Sequence, residues 1–521
     1  MPLLEEVFKL SGVPTYTFVE PLRYDAILVA VRTPGRSVVL EGPSGIGKTS
    51  TITKVIEALG KAGNILSLSA RKPNDLEMID ALPTIDKIGT VVIDDFHRLN
   101  DGLKARLSDF MKLLADSGDE NSQLILLGIN KAGDQLVHIA HDLGMRIDIF
   151  KLESNPDEKI EELISKGEDA LNIRFRDKVA IALRSQGSFH IAQVLCHALC
   201  IEAGVTETQL ETKAIDYSVD VVVERIMTDL GRQFMNAAIS FAQGSKIRRE
   251  GRAPYLHILR WLSQSEDWSL DLQEALRAHP EHKASISQVL EKGFFETLLR
   301  DKADVFGSLF HYEPTTRVLS VEDPKFIFFL RNLVWRPFAK NVGFAASTFK
   351  SSYDFALSFA GAERAIAKRL FDILTEREIA VFYDENEQHN IVARDVEEYL
   401  GRIYRSDATY VVPLLSQAYP TRIWTKFESD NFRDRFGKGA VIPVRFTDLR
   451  PGMFSDEQRY GGVPYNPAGD MESPLQEIAN VLSKRLAEDR AEEAAREAVK
   501  VEREVEAAEP TSKEAKVEKE V

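Results

Sequence analysis

The 521-residue sequence predicts a multidomain α/β protein, and three observations carry that prediction. A short apolar strand, Arg36 to Leu40, runs into a glycine-rich loop and then a helix over Thr51 to Leu59. Beyond residue 350 short apolar strands again alternate with helices, the pattern of a parallel, doubly wound sheet. Between them lies a segment that reads as helices followed by a hairpin. A chain this long holds roughly three to four domains. The pattern divides it into an N-terminal α/β core with a helical lid (1–230), a helical middle (231–340), a linker (341–352), a second α/β domain (353–486) and a charged tail (487–521).

Composition narrows the class. At 44% hydrophobic and 28% charged residues the chain has the balance of a water-soluble globular protein. Its two cysteines, Cys196 and Cys200, exclude a disulfide scaffold and suit a reducing, cytoplasmic setting. They lie on an expected helix near His190 and His197 and read as core residues rather than metal ligands. Met1 to Leu10 carries Glu5 and Glu6 and does not read as a secretory signal. No apolar run reaches membrane-spanning length, so no membrane partner is expected. A net charge of −15 argues against nucleic acid as a general partner.

The first element with chemistry is Gly42-Pro43-Ser44-Gly45-Ile46-Gly47-Lys48-Thr49. It fits G-x-x-x-x-G-K-[ST], the loop whose backbone N–H groups cradle phosphates at a helix N-terminus. Lys48 is placed to reach the β- and γ-phosphates of ATP or ADP, and the Thr49 hydroxyl to hold Mg²⁺. The strand Thr90 to Ile93 then delivers Asp94 and Asp95. Asp94 is the expected metal carboxylate and Asp95 the one that polarises the attacking water. A third strand, Leu124 to Ile129, ends at Asn130, which either orients that water or is a strand-end turn residue. Arg146 fits an arginine finger completing a neighbouring subunit's site, or a surface ion pair. Tyr16 to Pro21 is placed over the adenine by chain position alone.

This order of motifs resembles AAA+ and STAND ATPases over roughly residues 15 to 230. Asp94-Asp95, rather than Asp-Glu, leans towards the STAND side, where nucleotide exchange drives assembly. The resemblance therefore implies a homo-oligomer. Gly187-Ser188-Phe189-His190 stands where STAND proteins carry Gly-x-Pro. The middle segment offers a helix around Tyr255 to Leu262 and a single amphipathic helix over His282 to Arg300. The alternation Phe310 to Pro314, a turn at Thr315-Thr316 and a return over Arg317 to Val321 make a plausible wing. The order resembles the winged-helix domain of STAND and origin-binding proteins. In the former a His-Asp pair after the wing closes over ADP; here Glu322-Asp323 occupies that place. Lys246, Arg248, Arg249 and Arg252 form a small basic cluster, the one feature that favours DNA.

The last domain opens with Tyr353-Asp354-Phe355-Ala356-Leu357-Ser358-Phe359-Ala360-Gly361. Val381-Phe382-Tyr383-Asp384, Trp424-x-x-x-Glu428 and the strands Ala408 to Leu415 and Val441 to Phe446 follow. These residues resemble a TIR domain over about residues 350 to 485. The resemblance implies a flavodoxin-like parallel sheet and cleavage of the nicotinamide–ribose bond of NAD⁺. It puts the catalytic carboxylate on Glu428, whose alternative is a solvated helix glutamate. It implies that Trp424 and Phe382 pack against planar rings and that the loop with Phe359 and Ala360 faces the dinucleotide. Arg364 is a candidate replacement for basic residues that some relatives carry in that loop. TIR sites completed by a neighbouring copy again imply homo-oligomers.

The layout resembles prokaryotic antiviral proteins that deplete NAD⁺. No internal repeat marks a sensor, so the trigger is either read by the ATPase itself or supplied by a separate protein or viral ligand. Two other classes remain open: a signalling adaptor whose TIR domain only binds other TIR domains, and a DNA-acting AAA+ regulator with a TIR docking module. The tail, Ala487 to Val521, has more acidic than basic residues and no aromatic one, and reads as a frayed helix or a disordered segment.

Overall fold

The computed structural model describes residues 1–33, 35–60, 65–118, 122–129, 146–152, 154–245, 251–344, 351–383, 403–419, 435, 439–449 and 461–508. The chain forms two compact units. The first holds Met1–Ala237, Arg260–Asp271 and Lys302–Leu333; the second holds Ala238–Leu259, Leu272–Asp301 and Val334–Val521. The segment expected to be one middle domain is therefore divided between them.

The first unit is organised around five parallel strands: β1 (Ser37–Glu41), β2 (Ile65–Ser69), β3 (Gly89–Asp94), β4 (Ser122–Gly128) and β5 (Ile147–Lys151). Their order is β2-β3-β4-β1-β5. β1 and β4 are buried along their whole length, as parallel strands covered on both faces require. On one face Val39, Leu124 and Leu126 pack on the helix Asp101–Ser117 through Leu103, Leu107 and Met111. On the other, Val38, Leu40, Ile125 and Leu127 meet Ile27, Ile52 and Val55. The Asn100 side chain accepts from the Leu103 N–H and caps the long helix; Gly118, at φ +62°, ends it.

Helices Asp157–Leu171, Lys178–Ser185 and Phe189–Glu202 make the lid, with a short parallel pair, β6 (Ile173–Phe175) and β7 (Lys213–Ile215), beside them. Cys196 and Cys200 are fully buried in the last lid helix, as core residues. The expected hairpin forms as β9 (Phe310–Glu313) and β10 (Val318–Val321). A third strand that the sequence reading lacked, β8 (Ser269–Asp271), pairs antiparallel with β10. It has only three residues, too few for a period to show.

In the second unit β11 (Tyr353–Ser358), β12 (Val381–Phe382), β13 (Ala408–Leu415), β14 (Val444–Phe446) and β15 (Val463–Tyr465) run parallel in the order β12-β11-β13-β14-β15. Counted within the sheet this is 2-1-3-4-5, the flavodoxin-like order, with its switch point between β11 and β13. Alternate residues of β11 serve opposite faces. Phe355 and Leu357 pack with Leu370, Leu374, Leu475 and Leu482, while Ala356 packs with Phe382, Tyr404 and Val411. The single helix expected over His282 to Arg300 is two, Lys283–Glu291 and Phe294–Asp301. Gly293 between them sits at φ +68°, a conformation that ends a helix at little cost only for glycine.

The described part of the tail, residues 487–508, takes the helical alternative. A helix spans Glu472–Ala508, and Arg490 within it is drawn into a buried ion cluster. Arg252 donates to Asp354 at 3.0 Å and Arg490 at 2.7 Å, and the Ala380 N–H donates to the same carboxylate at 3.0 Å. Burial opposes the charge on Asp354, and the two guanidiniums overcome it and hold the carboxyl below its ordinary range. Arg252 thus faces inward, at 1% exposure, and leaves the basic cluster considered for DNA; Lys246, Arg248 and Arg249 lie outside the described residues.

Candidate functional site

The phosphate loop forms where β1 ends. A side chain at Gly42 would place its Cβ 2.3 Å from the Leu152 carbonyl oxygen, so only glycine fits. Gly47, at φ +108°, caps the helix Lys48–Ala58, whose N-terminus faces the loop. Lys48 Nζ donates to the carbonyls of Gly42 and Pro43, at 2.8 Å each, and is thereby held across the loop mouth. Burial is the main influence on this ammonium and brings its pKa down to about 8, against the pull of Asp94 and Asp95. The Ile46 side chain is buried in the core beneath and anchors the loop.

The loop opens into a cavity of about 450 Å³. Ser44, Gly45, Gly47, Lys48 and Thr49 line it on one side and Asp94, Asp95, His97, Arg71 and Glu322 on another. Thr17, Phe18 and Val19 also line it, which places part of the segment expected over the adenine at the cavity wall. Phe189 and His190 come from the lid; Ser188 accepts from the Ile191 N–H and so turns them towards the loop. His190 N–H lies 3.4 Å from the Gly45 carbonyl, and burial brings its ring pKa down to about 4. It is therefore a neutral side chain at physiological pH.

Thr49 Oγ1 donates to Asp94 Oδ2 at 3.1 Å. Two oxygen donors side by side at the loop mouth fit Mg²⁺, which takes a few protein oxygens and completes its octahedron with water and phosphate. Bound there, the ion would neutralise charge on the phosphates.

Asp95 differs from its sequence expectation. Its backbone is left-handed, at φ 58°. Its carboxylate accepts from Arg71 Nε at 2.6 Å, Arg71 Nη2 at 3.0 Å and Ser69 Oγ at 3.3 Å. A carboxylate gripped by a bidentate guanidinium cannot polarise water until that grip loosens. Arg71 also donates to Glu322 at 3.2 Å. Glu322 pairs with Arg98 as well, and its Oε1 lies 3.0 Å from His97 Nε2. Burial opposes the Glu322 charge, but His97 and Arg98 bring its pKa down to about 2. Thus Glu322, not Asp323, reaches the cavity; Asp323 accepts from the Lys325 N–H and caps the helix Pro324–Arg331. Sequence reasoning missed Arg71 and His97. Arg71 just follows β2, at the carboxyl edge where ligands gather, and that position was the available signal.

Arg146 donates to Asp116 at 2.8 Å and is not among the cavity residues. Asn130, Trp424, Glu428 and Asp384 lie outside the described residues.

In the second unit the loop after β11 lies at the carboxyl edge beside the switch point. Phe359 stacks on Tyr383, with ring centroids 5.5 Å apart, and the exposed Arg364 lies 5.5 Å from the Phe359 ring. Ala360 is buried. Ser358 Oγ and Tyr419 OH are 2.6 Å apart and join the ends of β11 and β13 across the switch point, a contact the sequence did not suggest. Phe382 requires a correction. Its ring is fully buried between Tyr353 and Tyr404, because β12 turns it to the core face of the sheet, so it does not stack on a ligand.

Fold and site together define a P-loop nucleotide-binding module fused to a TIR domain. Residues 355–466 match the family model described as "TIR domain". Part of that region is similar to the 3′ cyclic ADP-D-ribose synthase AaTIR of Aquimarina amphilecti, at 36% identity over 105 residues. The match covers 19% of this chain and 32% of the relative, so the chain spans about a third of the length of the curated protein it matches.

Among solved structures, the Thermotoga maritima RuvB Holliday junction branch migration motor is 17% identical, covering 59% of this chain and 96% of that one, with a TM-score of 0.33. The Aeropyrum pernix ORC2 protein is 12% identical, covering 64% and 98%, with a TM-score of 0.32. At such scores the P-loop assignment rests on the loop geometry and parallel sheet described above. No helix among the described residues is long and apolar enough to cross a membrane.

Proposed function

We propose that the chain is an ATP-controlled switch of STAND type, acting in antiviral defence in the cytoplasm, whose TIR domain cleaves NAD⁺. The observation that carries this reading is a complete phosphate loop in the same chain as a TIR domain similar to a cyclic ADP-ribose synthase. Cleavage breaks the bond between ribose C1′ and the nicotinamide nitrogen, and the bonding pair leaves with nicotinamide. Positive charge develops on the ribose, and the Glu428 carboxylate stabilises it, as a fixed anion does in glycoside hydrolysis. Water then gives ADP-ribose, or a hydroxyl of the same molecule closes the ring.

ATP with Mg²⁺ occupies the loop site, and its exchange with ADP sets the assembly of copies through both the ATPase module and the TIR domain. Hydrolysis requires Arg71 to release Asp95. The inward Arg252 counts against a DNA-acting regulator.

Incubating the purified protein with NAD⁺, with and without ATP, and analysing the products by chromatography and mass spectrometry tests this reading. Nicotinamide release that depends on ATP is expected. An assembled protein that leaves NAD⁺ intact under ATP, ADP and candidate triggers would instead mark a TIR adaptor.

A further inference from the structure

We propose that His97, His311 and Glu322 form a binding site for a divalent transition ion of the zinc class, bracing the β9–β10 hairpin against the loop that follows Asp94-Asp95. One donor atom from each residue lies within 4.8 Å of the other two. The three come from separate stretches: His97 from the turn after β3, His311 from β9, and Glu322 from the end of β10. Two histidines and a carboxylate, with a fourth position for water, are a donor set that zinc accepts.

One pair of donors is already near the spacing of a bound ion. With ligands at about 2.0–2.1 Å from a tetrahedral zinc, neighbouring donor atoms stand about 3.3–3.4 Å apart. His97 Nε2 and Glu322 Oε1 are 3.0 Å apart, and a His311 nitrogen lies within 4.8 Å of both, so the His311 ring has to move in to complete the set. The rings of His97 and His311 meet edge to face, 4.9 Å between centroids. Both imidazoles are kept neutral by burial, the form that ligates a metal; for His311 the pKa falls to about 4.

The His311 ring also holds unused capacity: its Nε2 is buried with no hydrogen-bond partner, an unusual state for a buried polar atom. The outer shell is in place too. Arg71 and Arg98 take Glu322 Oε2 and leave Oε1 directed at the histidines, as second-shell partners orient a ligating carboxylate. Their positive charge opposes any bound cation, so the affinity has to come from the bonds to imidazole, which suit an ion of the zinc class. An entry path exists, because His97 and Glu322 both line the phosphate-loop cavity. The site does not depend on the NAD⁺ reading.

The full-length protein, stripped with chelator and free of nucleotide, is titrated with Co²⁺ and then Zn²⁺, following visible absorption, bound metal per chain and thermal midpoint. One ion per chain is expected, with tetrahedral d–d bands, no thiolate charge-transfer band and a raised midpoint. His311→Gln should weaken binding about ten-fold or more and remove the thermal shift. His197→Gln, beside the two cysteines, should change neither. Failure to bind one ion per chain at micromolar metal overturns the site, as does equal binding by His311→Gln. If that variant does not fold, the wild-type spectrum decides: a thiolate band places the ion at Cys196 and Cys200 and overturns the proposal, and its absence beside d–d bands supports it.

Discussion

The P-loop module and the TIR domain both carry candidate residues at the carboxyl edge of a parallel sheet, but they assemble them differently. In the first, eight consecutive residues from Gly42 to Thr49 make most of the phosphate site, and β3 adds Asp94 and Asp95. In the second, the candidate residues are spread through the sequence from Phe359 to Glu428, and the described ones, Phe359, Ala360 and Phe382, lie on or just after two different strands over a large buried scaffold. A local motif keeps its geometry through backbone constraints such as Gly42. A distributed one depends on the register of every strand that contributes. The second unit should therefore be the more sensitive to damage far from its chemistry.

The largest expected effect tests that difference directly. Asp354→Asn removes the charge between Arg252 and Arg490 and leaves buried guanidiniums without their anion. Breaking a buried ion pair in this way costs about 3–5 kcal/mol. Denaturant unfolding should show early loss of the second unit, with ATP binding by the first retained. The wild-type ion cluster stabilises above the ordinary aspartate pKa, near 3.8, and its contribution is lost as pH falls below the depressed folded value. Unfolding of both units together, with ATP binding lost at the same denaturant concentration, would erase the contrast.

Glu428→Gln comes next. NAD⁺ cleavage should fall by about two to three orders of magnitude, the scale of losing one preorganised electrostatic group. ATP binding and assembly should be unchanged. Cleavage at the wild-type rate would remove Glu428 from catalysis.

Lys48→Ala works on the other region. Losing a charge-assisted contact to phosphate should weaken ATP binding about ten- to hundred-fold. Asp95→Asn, by contrast, should bind ATP and hydrolyse it slowly. Size measurements with ATP should then show Lys48→Ala as the smaller species. Equal assembly of the two variants would take nucleotide out of the mechanism.

The smallest effect is a proton. Burial brings Lys48 down to about 8, and a phosphate beside it favours the charged form. ATP binding near pH 8 to 9 should take up a proton and weaken as pH rises further. The unfolded chain keeps this proton up to the ordinary value of 10.5, so the nucleotide-free fold gains stability from this group as pH rises from about 8 to 10.5. Calorimetry in buffers of different ionisation enthalpy reads the uptake. A binding enthalpy independent of buffer would contradict it.

Sequence alone determined the phosphate loop, the Asp94-Asp95 strand end, the hairpin over residues 310–321 and the alternation that builds the second sheet. These are legible because they are local: a glycine spacing, a run of apolar residues, a two-residue period. Tertiary structure decided the rest. It gave Asp95 to Arg71, a pairing 24 positions apart, and brought Glu322 to His97 and Arg98 across more than 200 residues. It buried Phe382, whose motif context suggested a ligand contact, because strand register sets which face a side chain takes. It turned Arg252 and Arg490, each an ordinary surface charge by sequence, onto one aspartate. Charge pairing between distant segments leaves no period in a sequence. It is written only when the chain has folded and the cost of burying each charge has selected its partner.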